Sequence, residues 1–318
     1  MGGRLGRIAA VSLSIAVVCG TITALASAQD WVDGGDLPWT RINWSGRSWA
    51  GTPRHCAGMP SSTTADSRER RTVDLGWSGS SAVVIRIPAQ VHFKPGPSPQ
   101  ASVAGDPGIV EHVRLNNGQL EWDPVAWGNT LDCLRADDLV VQLSGPAVSS
   151  WTVSGSASLD LADLQQDAVQ IAARGSGIVT ASGRVREASV EAAGSGEVDL
   201  GRLAIGTTTA DLHGSGHLKL ADSRQDSLRP TLRGSGTVTA SGTAQTISLE
   251  AAGSGRADLG RLVADRANVT VRGSGDVDLA PRQDADISVS GSAVVRLHGA
   301  VARLNSHVSG SARVKQVP

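Results

Sequence analysis

One tripeptide governs the C-terminal half of this 318-residue chain. Gly-Ser-Gly, or Gly-Ser-Ala, begins at Gly155, Gly175, Gly194, Gly214, Gly234, Gly253, Gly273, Gly291 and Gly310. The intervals are 20, 19, 20, 20, 19, 20, 18 and 19 residues. A period of this length is the mark of a stacked repeat, in which each unit buries its apolar side only against its neighbours. A larger copy is also visible. Residues 175–203 match 234–262 at 20 of 29 positions, which points to duplication of a three-unit block.

Columns read relative to the first Gly show what each unit is. Two residues before it stand Val153, Ala173, Ala192, Leu212, Leu232, Ala251, Val271, Val289 and Val308. Four after it stand Leu159, Val179, Val198, Leu218, Val238, Ala257, Val277, Val295 and Val314. Six after it stand Leu161, Ala181, Leu200, Leu220, Ala240, Leu259, Leu279 and Leu297, then Gln316. Every position but the last is apolar, and the residues between are mostly polar. A period of two means strands with one buried face. Each unit therefore reads as strand, Gly-Ser-Gly corner, strand, then a looser return. The corner glycine suits backbone angles that other residues resist. The nine corner serines, Ser156 to Ser311, are expected to form a hydroxyl ladder along the corner. Ala157, Ala293, Ala312 and Gln316 make the terminal units atypical, as solenoid ends generally are.

The expected fold is all-β. A β-solenoid of about nine rungs of 18–20 residues occupies 151–318, preceded by a β-rich N-terminal part over 75–150. In that part, Val83, Ile85 and Ile87 alternate, and Val110–Leu115, Gln119–Trp122 and Leu139–Leu143 read as short strands. Only one Phe and no Tyr are present, which a core built from many small rungs tolerates. Residues 29–74 form a segment with Trp31, Trp39, Trp44 and Trp49 followed by a polar linker. The tryptophans are expected to cap the solenoid, with a sugar-stacking platform as the sharper alternative.

Residues 1–28 read as a signal peptide. Arg4 and Arg7 precede the apolar run Ile8–Leu25, and Ala26-Ser27-Ala28 is a small-residue cleavage site. A membrane anchor and a lipoprotein acylated at Cys19 are the weighed alternatives. The expected location is the periplasm, the outer surface or the extracellular space, with no membrane-spanning segment in the mature chain. Mature protein keeps Cys56 and Cys133, which in an exported chain suggest one disulfide. Lys and Arg number 29 against 30 Asp and Glu, so no nucleic acid is implied as a partner.

Gly-Ser-Gly-Asp-Val-Asp-Leu at 273–279, with near copies at 194–200 and 253–259, resembles the putative auto-transporter adhesin head domain family, GIN. Val84-Ile85-Arg86-Ile87-Pro88-Ala89 and Gly105-Asp106-Pro107 resemble its N-terminal portion, so the likeness covers about 75–315. It implies a right-handed parallel β-helix outside the cytoplasm. It implies no chemistry, and no catalytic residue carries over.

Two outward columns carry charge. Five residues after the first Gly stand Asp160, Thr180, Asp199, Lys219, Thr239, Asp258, Asp278, Arg296 and Lys315. Stacking sets Asp258 beside Asp278, and two close carboxylates need a cation or a proton between them. An ion-pair ladder relieved by Arg296 is the expected reading, with a calcium site at Asp258 and Asp278 as the alternative. One residue before the corner stand Arg174, His213, Arg233 and Arg272. The stripe Arg174, Arg233 and Arg272 is a candidate grip for an anionic glycan. His213 and His217 flank one corner without a convergent carboxylate or Cys, so zinc is disfavoured.

No cofactor and no catalytic residues are expected. The leading reading is a non-enzymatic extracytoplasmic binding or structural module, with a cell-envelope or host-surface glycan or protein as partner. The alternative is a polysaccharide-active β-helix enzyme, which would need carboxylates converging in one groove. End-to-end stacking of solenoids through their termini is a third reading.

Overall fold

In the computed structural model, residues 70–123 and 139–318 are described. The signal segment, Trp31, Trp39, Trp44, Trp49, Cys56 and Cys133 lie outside them. The described residues are almost entirely strand. Seven strands each make one full turn: β9 (Ser158–Gly175), β10 (Ile178–Gly194), β11 (Glu197–Gly214), β12 (His217–Gly234), β13 (Thr237–Gly253), β14 (Arg256–Gly273) and β15 (Asp276–Gly291). Each pairs in parallel with the turns before and after it. The columns read from sequence are the observed registers: Val179 faces Val198, Ala192 faces Leu212, and Gly194 faces Gly214. The nine corners bound about eight full turns, one fewer than the rung count expected.

The return segment is not loose. In β11 the buried residues are Val198, Leu200, Leu203, Ile205, Thr208, Ala210 and Leu212. Alternation of two is broken by a step of three after Leu200 and again after Ile205. Each such step rotates the inward face, so a turn has three short β faces closed by two bends and the Gly-Ser-Gly corner. Variation in turn length is absorbed at the bends. Two of the three 19-residue turns carry Ser182-Gly183 and Ser241-Gly242 there, and the register slips at those residues. Gly183 has φ 118°, and a Cβ on it would lie 2.2 Å from the Leu164 carbonyl oxygen.

The main corner follows the same logic. Gly253 has φ 120°, and a Cβ there would stand 2.4 Å from the Gly234 carbonyl oxygen. Both the backbone angle and the approach of the neighbouring turn demand Gly. The corner ladder runs through the backbone rather than through serine hydroxyls: Ser254 N–H donates to the Gly234 carbonyl at 2.9 Å, and each stacked corner repeats this. The corner serines are exposed, and water can satisfy their hydroxyls.

The N-terminal strands extend the stack downward, out of sequence order. These are β1 (Arg71–Asp74), β2 (Ala82–Ile85), β3 (Gln90–Pro95), β4 (Gln100–Gly105), β5 (Val113–Asn116), β6 (Gln119–Trp122), β7 (Val140–Gly145) and β8 (Ser150–Gly155). Beneath the first turn, β2 pairs with β8 and β3 with β9, both in parallel. Beneath that level lie β6 and β7, again parallel. Ile85, Val91 and Phe93 repeat the spacing of Val153, Leu159 and Leu161 and stack directly on them, with Ile87-Pro88-Ala89 in place of the Gly-rich corner. Three antiparallel strands then close this end: β4 on β7, β1 on β4, and β5 on β6. Arg71–Asp74, at the end of the segment read as linker, thus form a strand. The run Val110–Leu115 is divided between the short helical turn α1 (Pro107–Val110) and β5.

Aromatic bulk under this cap comes from Trp77, Phe93 and Trp151. Phe93 sits 4.9 Å from Trp151 and 6.4 Å from Trp77 between ring centres. At the other end, β16 (Val294–His298) and β17 (Arg303–Gly310) pair with β15, and β18 (Arg313–Val317) pairs with β16. Every residue of β17 is exposed.

Candidate binding surface

Alternation that sends Leu159 and Leu161 inward sends the residue between them, Asp160, outward. Stacking converts such positions into one continuous row. It runs Asp74, Ser102, Gln142, His92, Asp160 and Thr180 through the N-terminal strands. It continues through Asp199, Lys219, Thr239, Asp258, Asp278, Arg296 and Lys315. The expected outward column is therefore real, and it extends four strands further than the repeat alone indicates.

Where the antiparallel strands join the parallel stack, the row is concave. A groove of about 720 Å³ lies there, lined among others by His92, Lys94, Gln142, Ser102, Ser144 and Asp160. His92 Nδ1 is 3.6 Å from Asp160 Oδ2, and the Thr180 hydroxyl donates to Asp160 Oδ1 at 2.6 Å. Lys94 Nζ lies 3.4 Å from Asp163 Oδ2. Asp163 has φ 55°, a left-handed angle that Asp tolerates better than most residues. The groove thus offers amides, hydroxyls, a carboxylate, an imidazole and an ammonium about 4.8 Å apart from strand to strand. Donors and acceptors in that alternation suit a polyhydroxylated ligand. Phe93 lies beneath the groove, fully buried, and offers no stacking face.

Further along the row the charges pair with one another. Lys219 Nζ is 3.0 Å from Asp199 Oδ2. Burial alone would raise the Asp199 carboxyl, but the Gly201 N–H at 2.7 Å, the Lys219 ammonium and Arg202 outweigh it and hold the group below the ordinary carboxylate value. Asp258 and Asp278 do stack in register. Asp278 is bonded by Arg296 at 3.4 Å and His298 at 3.3 Å, and Arg296 also reaches Asp276 at 3.3 Å. No three His, Cys, Asp or Glu side chains converge on one point among the described residues.

The basic stripe is interrupted. Ala193 separates Arg174 from His213, and Ala252 separates Arg233 from Arg272. Arg174 is paired with Glu191 at 3.2 Å. Arg233 and Arg272 have no ion-pair partner among the described residues. His213 and His217 are both exposed on either side of their corner.

Acids do not converge in the groove either. Asp74 and Asp160 both line the groove but stand four strands apart along the row, a contour of about 19 Å by the strand spacing. Glycoside hydrolysis uses carboxylates about 5–10 Å apart. No helix among the described residues is long and apolar enough to cross a membrane.

Comparison with known proteins bears on this surface. The family model "Putative auto-transporter adhesin, head GIN domain" matches residues 129–239 and 220–301. The fold is similar to that of a putative lipid binding protein from Parabacteroides distasonis, with 16% identity, coverage of 78% of this chain and 97% of that one, and a TM-score of 0.58. A putative adhesin from the same organism gives 13% identity, the same coverages and a TM-score of 0.57. A putative adhesin from Parabacteroides merdae gives 15% identity, coverage of 78% and 96%, and a TM-score of 0.53. No curated protein matches the sequence.

Proposed function

The chain belongs to the GIN-domain family of putative auto-transporter adhesins, and from that premise we propose that it is an exported, non-enzymatic recognition module whose groove at the capped end binds a surface glycan. One observation carries the reading: the polar row passes through a groove where the antiparallel cap meets the stack, and there its polar groups are of the kind that hydrogen-bond sugar hydroxyls. Rigid strands hold these groups in place, which lowers the ordering cost of binding. Export rests on the signal-like residues 1–28, and secretion puts the module where such glycans are.

A polysaccharide-active enzyme is disfavoured by the spread of acids along the row. Asp278 is occupied with Arg296 and His298, and neither it nor its neighbour Asp258 lines the groove. Lipid binding, suggested by the name of one structural neighbour, finds little support. The turn interior is filled by Leu, Val, Ile and Ala, and the groove sets Leu75, Ala101, Leu143 and Ala162 among polar and charged groups such as Asp74, His92, Lys94, Gln142 and Asp160.

A glycan array probed with residues 29–318 tests the proposal, together with the variant His92→Ala/Gln142→Ala. Both substituted residues are exposed, so folding should survive. The expected result is binding to a small set of neutral glycans that the variant loses by about tenfold or more, the equivalent of one or two hydrogen bonds. An array with no neutral glycan bound, or a variant that binds as well as wild type, would overturn it.

A further inference from the structure

A second concavity lies on another face of the stack, outside the groove and the corner stripe. It is a notch of about 530 Å³ crossing β10, β11 and β12. Arg184 stands on β10 beside Ala204 on β11. The offset that pairs Leu200 with Leu220 and Thr207 with Ser227 brings Arg224 of β12 to the other side of Ala204. Arg184 and Arg224 are therefore two strands apart, about 10 Å, with only a methyl group between them. Next to Ala204 the floor continues as Gly206. A Cβ on Gly206 would meet the Arg186 carbonyl oxygen at 2.9 Å, so the neighbouring backbone keeps this position bare.

Charge in the notch is divided by column. Arg186 is neutralised by Asp167 at 2.9 Å, and Asp226 accepts from Gln245 at 2.9 Å. Arg184 and Arg224 are exposed and make no ion pair with any described residue. Unpaired arginines occur elsewhere on this chain, Arg233 and Arg272 among them, but those stand on a convex corner. Arg184 and Arg224 instead line one recess. Two guanidinium forks in that arrangement match two oxyanions carried on one extended ligand, each able to take a bidentate contact. Glu187, on the strand of Arg184, and Asp226, on the strand of Arg224, also line the notch and can accept from hydroxyls.

We infer that this notch binds an acidic polysaccharide, with a carboxylate or sulfate on each of Arg184 and Arg224 and the intervening sugar resting on Ala204 and Gly206. The site is separate from the neutral-glycan groove and does not depend on it.

Calorimetric titration tests this on residues 29–318 at low salt. The probes are a heparin octasaccharide, an oligogalacturonate and a neutral dextran oligosaccharide. At least one acidic probe should bind, weaken as salt rises, and lose about a hundredfold or more in Arg184→Gln/Arg224→Gln, the equivalent of losing two charge-assisted contacts. Dextran should not bind at this site. Arg233→Gln/Arg272→Gln, which removes the same charge from the corner, and His92→Ala/Gln142→Ala should each leave acidic binding within about twofold. Melting curves should confirm that all variants stay folded, as exposed substitutions do. Absence of binding by both acidic probes would overturn the inference. So would an Arg184→Gln/Arg224→Gln variant that binds like wild type, or an equal loss on Arg233→Gln/Arg272→Gln, which would reduce the effect to general charge.

Discussion

At the N-terminal end of the stack, β1, β4 and β5 turn antiparallel and cover a cluster of Trp77, Phe93 and Trp151. At the other end, β17 and β18 each pair with one described strand only, and Leu304 and Val308 are 44% and 41% exposed. The same inward column is thus fully buried at Val153 and open at Val308. Burial in a solenoid is supplied by the next turn, so a turn with a neighbour on one side alone gains only part of it. The last strands carry Arg303, His307, Arg313 and Lys315 and no acid. Like charges of this kind discourage a second copy from adding to the edge, which argues against end-to-end stacking through two such edges. The capped end has aromatic packing, while no aromatic residue packs at the open end among the described residues.

This contrast can be broken by substitution. Phe93→Ala at the capped end should cost about 3–5 kcal/mol in denaturant unfolding, because the side chain is 1% exposed. A cost under about 1 kcal/mol would mean the cap adds little. Next in size, Gly253→Val in the middle of the stack should cost roughly 1–3 kcal/mol from backbone strain, with the clash against Gly234 adding to it. Gly299→Ala, near the open end, has a positive φ of 82° but no atom within 4 Å of the new Cβ. It should cost only about 1 kcal/mol. Equal losses at the two glycines would remove the neighbouring turn from the explanation. Leu304→Ser should fall within about 0.5 kcal/mol of wild type, as an exposed position does.

The smallest effect is a pH dependence. The Asp199 carboxyl titrates below its ordinary value in the folded protein, so it adds stability above the unfolded-state pKa, and that contribution fades as pH falls through the folded one. Asp199→Asn should therefore lose less stability than wild type on acidification below about pH 4. Parallel acid denaturation curves would contradict this.

Much of the architecture was legible in sequence because it is local and periodic. Columns at fixed distances from each corner glycine are the observed registers, and the outward row follows from them. The second bends were also written in the chain, as Ser182-Gly183 and Ser241-Gly242, but one glycine inside a variable stretch is a weak signal beside nine aligned corners. The lowest levels were harder. Ile85, Val91 and Phe93 keep the spacing of the repeat, yet Ile87-Pro88-Ala89 replaces its corner, and β3 is followed in space by β7 rather than β4. Pairings of that range leave no period to read. For that reason the groove, which exists only because β4 folds back on β7, was not visible, whereas Arg174, Arg233 and Arg272 stood out as a stripe. The alanines that interrupt that stripe, Ala193 and Ala252, stand directly before Gly194 and Gly253 and were open to the same column reading.

Hydrogen exchange with and without the best-binding neutral glycan tests the central claim most directly, since it reads every backbone amide at once. The account predicts slower exchange at amides of β3, β4, β7 and the start of β9, and unchanged exchange at β17 and β18. Protection at the open end, or along the Arg174 to Arg272 corner with none in the groove, would contradict it.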